Sequence, residues 1–221
     1  MEDRGVRYLV SGRNLKRINS GKMKAGQDLV AAGYAGLAGT CILAKARRRE
    51  LENRFTADYL DGLARYDNPE FRMQSLEQGN PQDGAGLPEC GKGFAVAERE
   101  PAGEGGILTA IWKLSGAYRL GVEFSLRRIP IRQGTIELCE LWGLNPYRLY
   151  SDGCWILASE NGGRLAENLE RQGIAAAVIG IVTPGIARVI VDGGEQSFLN
   201  RPQPDELEKV APDWQKWIVR R

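Results

Sequence analysis

Gly103-Glu104-Gly105-Gly106 opens the stretch that decides the fold of this chain. An apolar helix pattern follows, with Ile107, Leu108, Ile111, Trp112 and Leu114 largely along one side. The strand-like Gly121-Val122-Glu123-Phe124-Ser125-Leu126 then leads into Ile129-Pro130-Ile131. Thr135, Leu138, Cys139 and Trp142 repeat a helical spacing that Asn145-Pro146 closes. Residues 154–158 form a continuous apolar strand, and Leu165 and Leu169 mark a short amphipathic helix ended by Gly173. Residues 175–182 and 187–191 read as strands joined by Thr183-Pro184-Gly185-Ile186, and Asp192-Gly193-Gly194 turns into a last edge strand. Helices alternating with strands favour layered packing, and the closing hairpin requires some antiparallel pairing. The expected class is therefore α+β (mixed α/β), a mixed sheet with helices packed on it.

Upstream of this stretch, residues 27–33 read as a buried strand entering a second glycine-rich turn, Gly33-Tyr34-Ala35-Gly36-Leu37-Ala38-Gly39. A helical pattern runs from Thr40 through Ile42, Leu43 and Ala46 past Leu51 and Phe55, with another piece over 58–66. Turn signals crowd residues 67–92, and order returns in a short strand at 94–97. Residues 1–24 make a basic arm carrying Arg7, Arg13, Lys16, Arg17, Lys22 and Lys24, with a short strand pattern at 6–10. The main domain spans 25–207. From Asp205 to Val219 the pattern suggests a tail helix with Trp214, Trp217 and Ile218 on one side, and 208–221 form its terminal part.

Composition narrows the function. A net charge of +2 argues against a nucleic-acid-binding protein, which concentrates a basic excess. The start Met1-Glu2-Asp3-Arg4 is charged, and the longest apolar run, 174–182, is about half a membrane span. The expectation is a cytoplasmic protein without a membrane partner. Cys41, Cys90, Cys139 and Cys154 are scattered, with no C-x-x-C pair, and read as reduced apolar residues rather than a zinc site. The chain has no histidine, which removes Ser-His-Asp and Cys-His mechanisms and leaves acid–base work to Asp, Glu, Lys, Tyr or Cys.

Glycine turns ahead of helices expose unpaired N–H groups beside the positive end of the helix dipole, an arrangement that suits phosphate. Gly33, Gly36, Gly39, Gly103, Glu104, Gly105 and Gly106 are thus the candidate ligand-binding residues. Neither turn has the Walker or Rossmann spacing, and both also fit glycines used for tight turns and close helix–strand contact. No catalytic residue and no metal ligand stands out. Arg127-Arg128 could reach a phosphate or be surface charges at a strand end. Trp112, Trp142 and Trp155 sit in apolar patterns as core residues.

The order glycine turn, helix, strand, Ile-Pro-Ile, helix, strand, helix, strand resembles the C-terminal domain of the aminoimidazole-ribonucleotide (AIR) synthetase superfamily. Within it, the nearest branch is that of the HypE-type hydrogenase-maturation factors and their AIR synthase-related relatives. The resemblance covers roughly residues 5–66 and 93–207 and implies a PurM C-terminal-domain-like mixed sheet. In the family the second turn reads Asp-x-Thr-x-Gly-Gly and helps line a nucleotide and substrate cleft between two domains. Here the corresponding residues are Pro101, Ala102, Gly103, Glu104, Gly105 and Gly106. The glycines match, but Pro101 replaces Asp and Gly103 replaces Thr, so side-chain contacts to metal or phosphate are lost.

The resemblance also implies an N-terminal domain that holds Mg-ATP, for which the residues before Gly26 leave no room. HypE-type factors end in a reactive cysteine, whereas this chain ends Trp217-Ile218-Val219-Arg220-Arg221 with no cysteine after Cys154. The implied function is a non-catalytic or split-subunit relative that binds a phosphate-bearing ligand or a partner. That partner would be a second copy of the chain, as a homodimer, or a separate ATP-binding-domain protein. Two alternatives remain open: a self-sufficient ATP-dependent enzyme with Glu104 or Asp28 on magnesium, and an interaction scaffold using the tail tryptophans and the basic arm.

Overall fold

The computed structural model describes residues 22–67 and 96–218. The basic arm up to residue 21, the 6–10 strand pattern and residues 68–95 lie outside the described residues. In chain order the elements are β1 (Asp28–Ala32), α1 (Leu37–Ala46), α2 (Arg48–Leu51), α3 (Ala57–Ala64), β2 (Val96–Pro101), α4 (Gly106–Tyr118) and β3 (Gly121–Phe124). They continue with α5 (Gln133–Trp142), β4 (Trp155–Ser159), α6 (Gly162–Arg171), β5 (Ala176–Thr183), β6 (Arg188–Asp192) and β7 (Glu195–Phe198).

The strands form one mixed sheet in the order β2-β4-β1-β5-β3-β6-β7. Every pairing is antiparallel except β3 with β6. β1 and β4 are almost continuously apolar because both faces of the sheet are covered there. Leu29, Ala31, Ile156 and Ala158 pack with Ile107, Ile111 and Leu114 of α4. The alternate residues Val30, Ala32, Trp155 and Leu157 meet Leu165 and Leu169 of α6 on the other face. A further apolar cluster joins α1, α3 and α5 through Leu43, Leu60, Leu63 and Leu138.

Four expectations are corrected. The strands at 176–183 and 188–192 are consecutive but do not pair with each other, because β3 inserts between them. It runs antiparallel to β5 and parallel to β6. The expected long helix after Thr40 begins earlier, at Leu37, and breaks at Arg47, where φ is −113° and ψ 20°. The break lets Leu51 sink into the helical cluster while Arg48 turns out to Asp61 at 2.6 Å and Glu52 at 2.8 Å. The strand expected at 94–97 extends to Pro101, which ends it on an edge strand of the described sheet, where a missing N–H is tolerated.

The tail is the fourth. It is not a helix but two 3₁₀ turns, Glu206–Lys209 and Trp214–Trp217, separated around Pro212, which cannot donate a helical N–H. It folds back onto the helical cluster rather than projecting an aromatic stripe. Trp214 is 1% exposed, its ring centroid 4.9 Å from that of Tyr150 and tilted to it by 48°, while Trp217 is half-buried.

β5 carries the one irregularity of the central strands: the partners of Leu29 and Val30 on it are Gly180 and Val178, so Ile179 is an extra residue. At Gly180 the neighbouring β3 backbone, at Glu123 and Phe124, comes too close for a side chain.

Candidate functional site

The two glycine turns meet at one segment, residues 147–151, that passes between the starts of α1 and α4. Gly36, with φ 71°, is the N-cap of α1, and its N–H donates to Ser151 Oγ at 2.8 Å. Gly39 lies inside α1 and donates to the Tyr150 carbonyl at 2.8 Å. A Cβ on Gly36 would lie 2.8 Å from Thr135 Cγ2, and one on Gly39 would lie 2.5 Å from Leu149 Cγ. Gly33 faces Gly153, whose carbonyl would be 2.7 Å from its Cβ. These glycines allow α1 to lie directly on the 147–154 backbone.

The second turn is built alike. Gly105, φ 74°, caps α4, and Gly106, φ 67°, faces Tyr147 and Arg148 so closely that no side chain fits. The Gly103 carbonyl accepts from Gly106 at 3.0 Å and from Ser151 at 3.2 Å, while its own Cβ position is open. Glu104 is exposed. Pro101 ends β2 opposite Trp155. Asp28, the other acidic residue considered for magnesium, begins β1 and accepts from the Gly162 N–H at 2.7 Å. The first glycine turn follows the opposite end of that five-residue strand, roughly 15 Å away.

A residue that the sequence did not single out occupies the second turn. Asp205 is 1% exposed and accepts three backbone N–H groups: Gly105 at 2.8 Å, Leu207 at 3.0 Å and Tyr150 at 3.2 Å. Burial pushes its carboxyl up to about 7 although those three hydrogen bonds pull it down. The signal was present as the pattern Asp205-Glu206-Leu207-Glu208, a capping sequence. It pointed to a local helix start and carried no hint of Gly105, one hundred residues away. Next to Asp205, an open groove of about 640 Å³ is lined by Asn145, Arg148, Asn200, Gln203 and Lys209, among others.

Glu100 was also missed. It is 4% exposed on β2, its Oε2 has no hydrogen-bond partner among the described residues, and burial raises its carboxyl to about 7 against the pull of Lys113. Cys41, Cys139 and Cys154 are buried, with burial pushing the thiols of Cys139 and Cys154 up to about 12. Cys90 lies outside the described residues. No group of three or more His, Cys, Asp or Glu disposed to hold a metal occurs among the described residues. None of their helices is long and apolar enough to cross a membrane.

Of the tryptophans, Trp155 is buried, with Arg99 at 5.7 Å from its ring. Trp112 is half-buried beneath Arg188 at 4.0 Å, and Trp142 donates to Glu50 at 3.0 Å. Arg127 and Arg128 follow β3 in a 3₁₀ turn without buried residues.

No protein-family model matches the sequence, and no curated protein is similar to it in sequence. Solved structures share its fold. E. coli HypE, a hydrogenase maturation protein, aligns with a TM-score of 0.61 at 20% identity, over 87% of this chain and 55% of HypE. A hydrogenase maturation protein HypE in complex with ATP aligns at 0.58 and 18%, over 85% of this chain and 54% of its own. Thiamine monophosphate kinase from Aquifex aeolicus aligns at 0.51 and 15%, over 79% and 52%. The chain thus spans about half the length of the structures it matches. Its fold is that of the AIR synthase-related, HypE-type proteins, carried over about half of their length.

Proposed function

We propose that this chain is a non-catalytic or split-subunit protein of the AIR synthase-related type, supplying one wall of a composite cleft for a phosphate-bearing ligand. The observation that carries the reading is how the two glycine turns are used. The N–H groups of Gly36 and Gly105, the cap positions from which a helix start would greet a phosphate, are already bound to Ser151 and Asp205. With Pro101 in place of an acidic anchor, the turn has little left to offer a triphosphate unaided.

The HypE structure solved with ATP is nearly twice as long as the matched region. This supports assigning nucleotide grip to a part of the composite that the matched half does not supply. A second copy of this chain or a separate ATP-binding-domain protein would complete the cleft. The scaffold alternative loses ground because Trp214, half of its docking stripe, is buried in the chain's own core.

ADP release from Mg-ATP, measured on the purified chain and on Glu104→Gln, tests the reading. No release above buffer is expected from either protein. Turnover by the chain that disappears in Glu104→Gln would instead establish a self-sufficient enzyme.

A further inference from the structure

Four loops share one end of the sheet. β1, β2, β3 and β6 run in the same direction, and β4, β5 and β7 run against them. The two glycine turns leave the C-terminal ends of β1 and β2, residues 125–128 leave that of β3, and Asp192-Gly193-Gly194 leaves that of β6. β3 and β6 are also the one adjacent parallel pair of the described sheet, and ligands of open α/β sheets gather outside such carboxyl ends.

Asp192 organises this corner. Its Oδ1 accepts the Ser125 hydroxyl at 2.5 Å and its Oδ2 the Leu126 N–H at 3.2 Å. Both oxygens are thereby spent on the 3₁₀ turn that carries Arg127. The Arg127 side chain makes no hydrogen bond or ion pair among the described residues. Its guanidinium is exposed beside the hairpin turn, with Nη2 3.8 Å from where a Cβ on Gly193 would be.

Tyr147 enters the same corner from the segment that passes between α1 and α4. Its ring packs on the core, and its phenol is close enough to Asp192 and Arg127 for both charges to act on it. Burial, with help from Asp192, holds the phenol above its ordinary value against the pull of Arg127, so the hydroxyl keeps its proton. That hydroxyl has no hydrogen-bond partner among the described residues.

The cap N–H groups of the glycine turns are already bound, whereas here a guanidinium and a phenol remain unbound at the same end of the sheet. A guanidinium presents a planar fork of donors that matches a phosphoryl group, and the phenol adds one more. We propose that Arg127 and Tyr147 form a phosphoryl-binding subsite at the carboxyl ends of β3 and β6, with Asp192 as the positioning residue that holds the Arg127 turn. The subsite rests on the cleft-wall reading for the class of its ligand, and it moves the phosphate contact from backbone N–H groups to side chains.

Amide NMR shifts during titration of the purified chain with inorganic phosphate at about pH 7.5, where phosphate is largely dianionic, test the subsite. Chloride at matched ionic strength and acetate serve as controls. Saturable shifts are expected at residues 125–128 and at Gly193 and Gly194, with affinity in the millimolar range, too weak for calorimetric heat. Arg127→Ala should weaken that affinity by about ten-fold or more, and Tyr147→Phe, which keeps the ring, by about three- to ten-fold. Neither side chain is hydrogen-bonded within the described fold, so the rest of the spectrum should be that of wild type. Shifts that persist unchanged in Arg127→Ala, or that acetate or chloride reproduces, would overturn the subsite. Saturable shifts confined to residues 33–39 or 103–106 would overturn it too, while leaving the cleft wall standing. No saturable response anywhere in the chain would count against both.

Discussion

At Gly36 and Gly105 the backbone turns through φ of 71° and 74°, and at each a side chain would strike a neighbour packed against the turn. An alanine at Gly36 should cost about 1–2 kcal/mol for the left-handed conformation and about 1–3 kcal/mol more for crowding against Thr135. Gly103→Ala, in open space, should stay within about 0.5 kcal/mol of wild type in urea denaturation. Similar losses at Gly36 and Gly103 would remove the close-approach account. Glu100 gives a second residue-scale expectation. Burial holds its folded value near 7 against an ordinary 4.5, so the stability it contributes is complete below that ordinary value and lost as pH rises through about 7. Wild-type Tm should decline from about pH 5 to about pH 8, and Glu100→Gln should decline less, ending on the order of 1–3 kcal/mol more stable at the upper end. A Glu100→Gln profile parallel to wild type would contradict this. The glycines were legible in the sequence because Gly is conspicuous. Asp205 and Glu100 were not, because nothing local distinguishes a buried carboxylate from a solvated one.

Among the elements, those set by local periodicity were readable: β1, α4, β4, α6 and the β6–β7 hairpin all lie within a few residues of their expected places. The insertion of β3 between β5 and β6 was not, because strand order is settled by long-range pairing that no residue within β3 announces. The tail failed for a related reason. Its helical spacing from Asp205 to Val219 is real, but Pro212 interrupts it and the apolar cluster of α1, α3 and α5 captures Trp214. Trp214→Ala should therefore cost about 3–5 kcal/mol, as for a large core side chain. Trp214→Phe should cost clearly less, since the indole N–H is buried without an acceptor among the described residues. Chemical denaturation of both variants checks this; a Trp214→Ala protein as stable as wild type would return the tail to solvent.

On the scale of the whole molecule, fold and function part company. The same architecture occurs in a hydrogenase maturation protein and a thiamine monophosphate kinase, so the fold by itself does not dictate what the glycine turns of this chain hold. In this chain those turns close on residues 147–151 and on Asp205, inside a region spanning about half of its structural counterparts. Mg-ATP calorimetry on the isolated chain tests this most directly. The account predicts no measurable heat of binding, and a saturable, tight isotherm with one nucleotide per chain would contradict it.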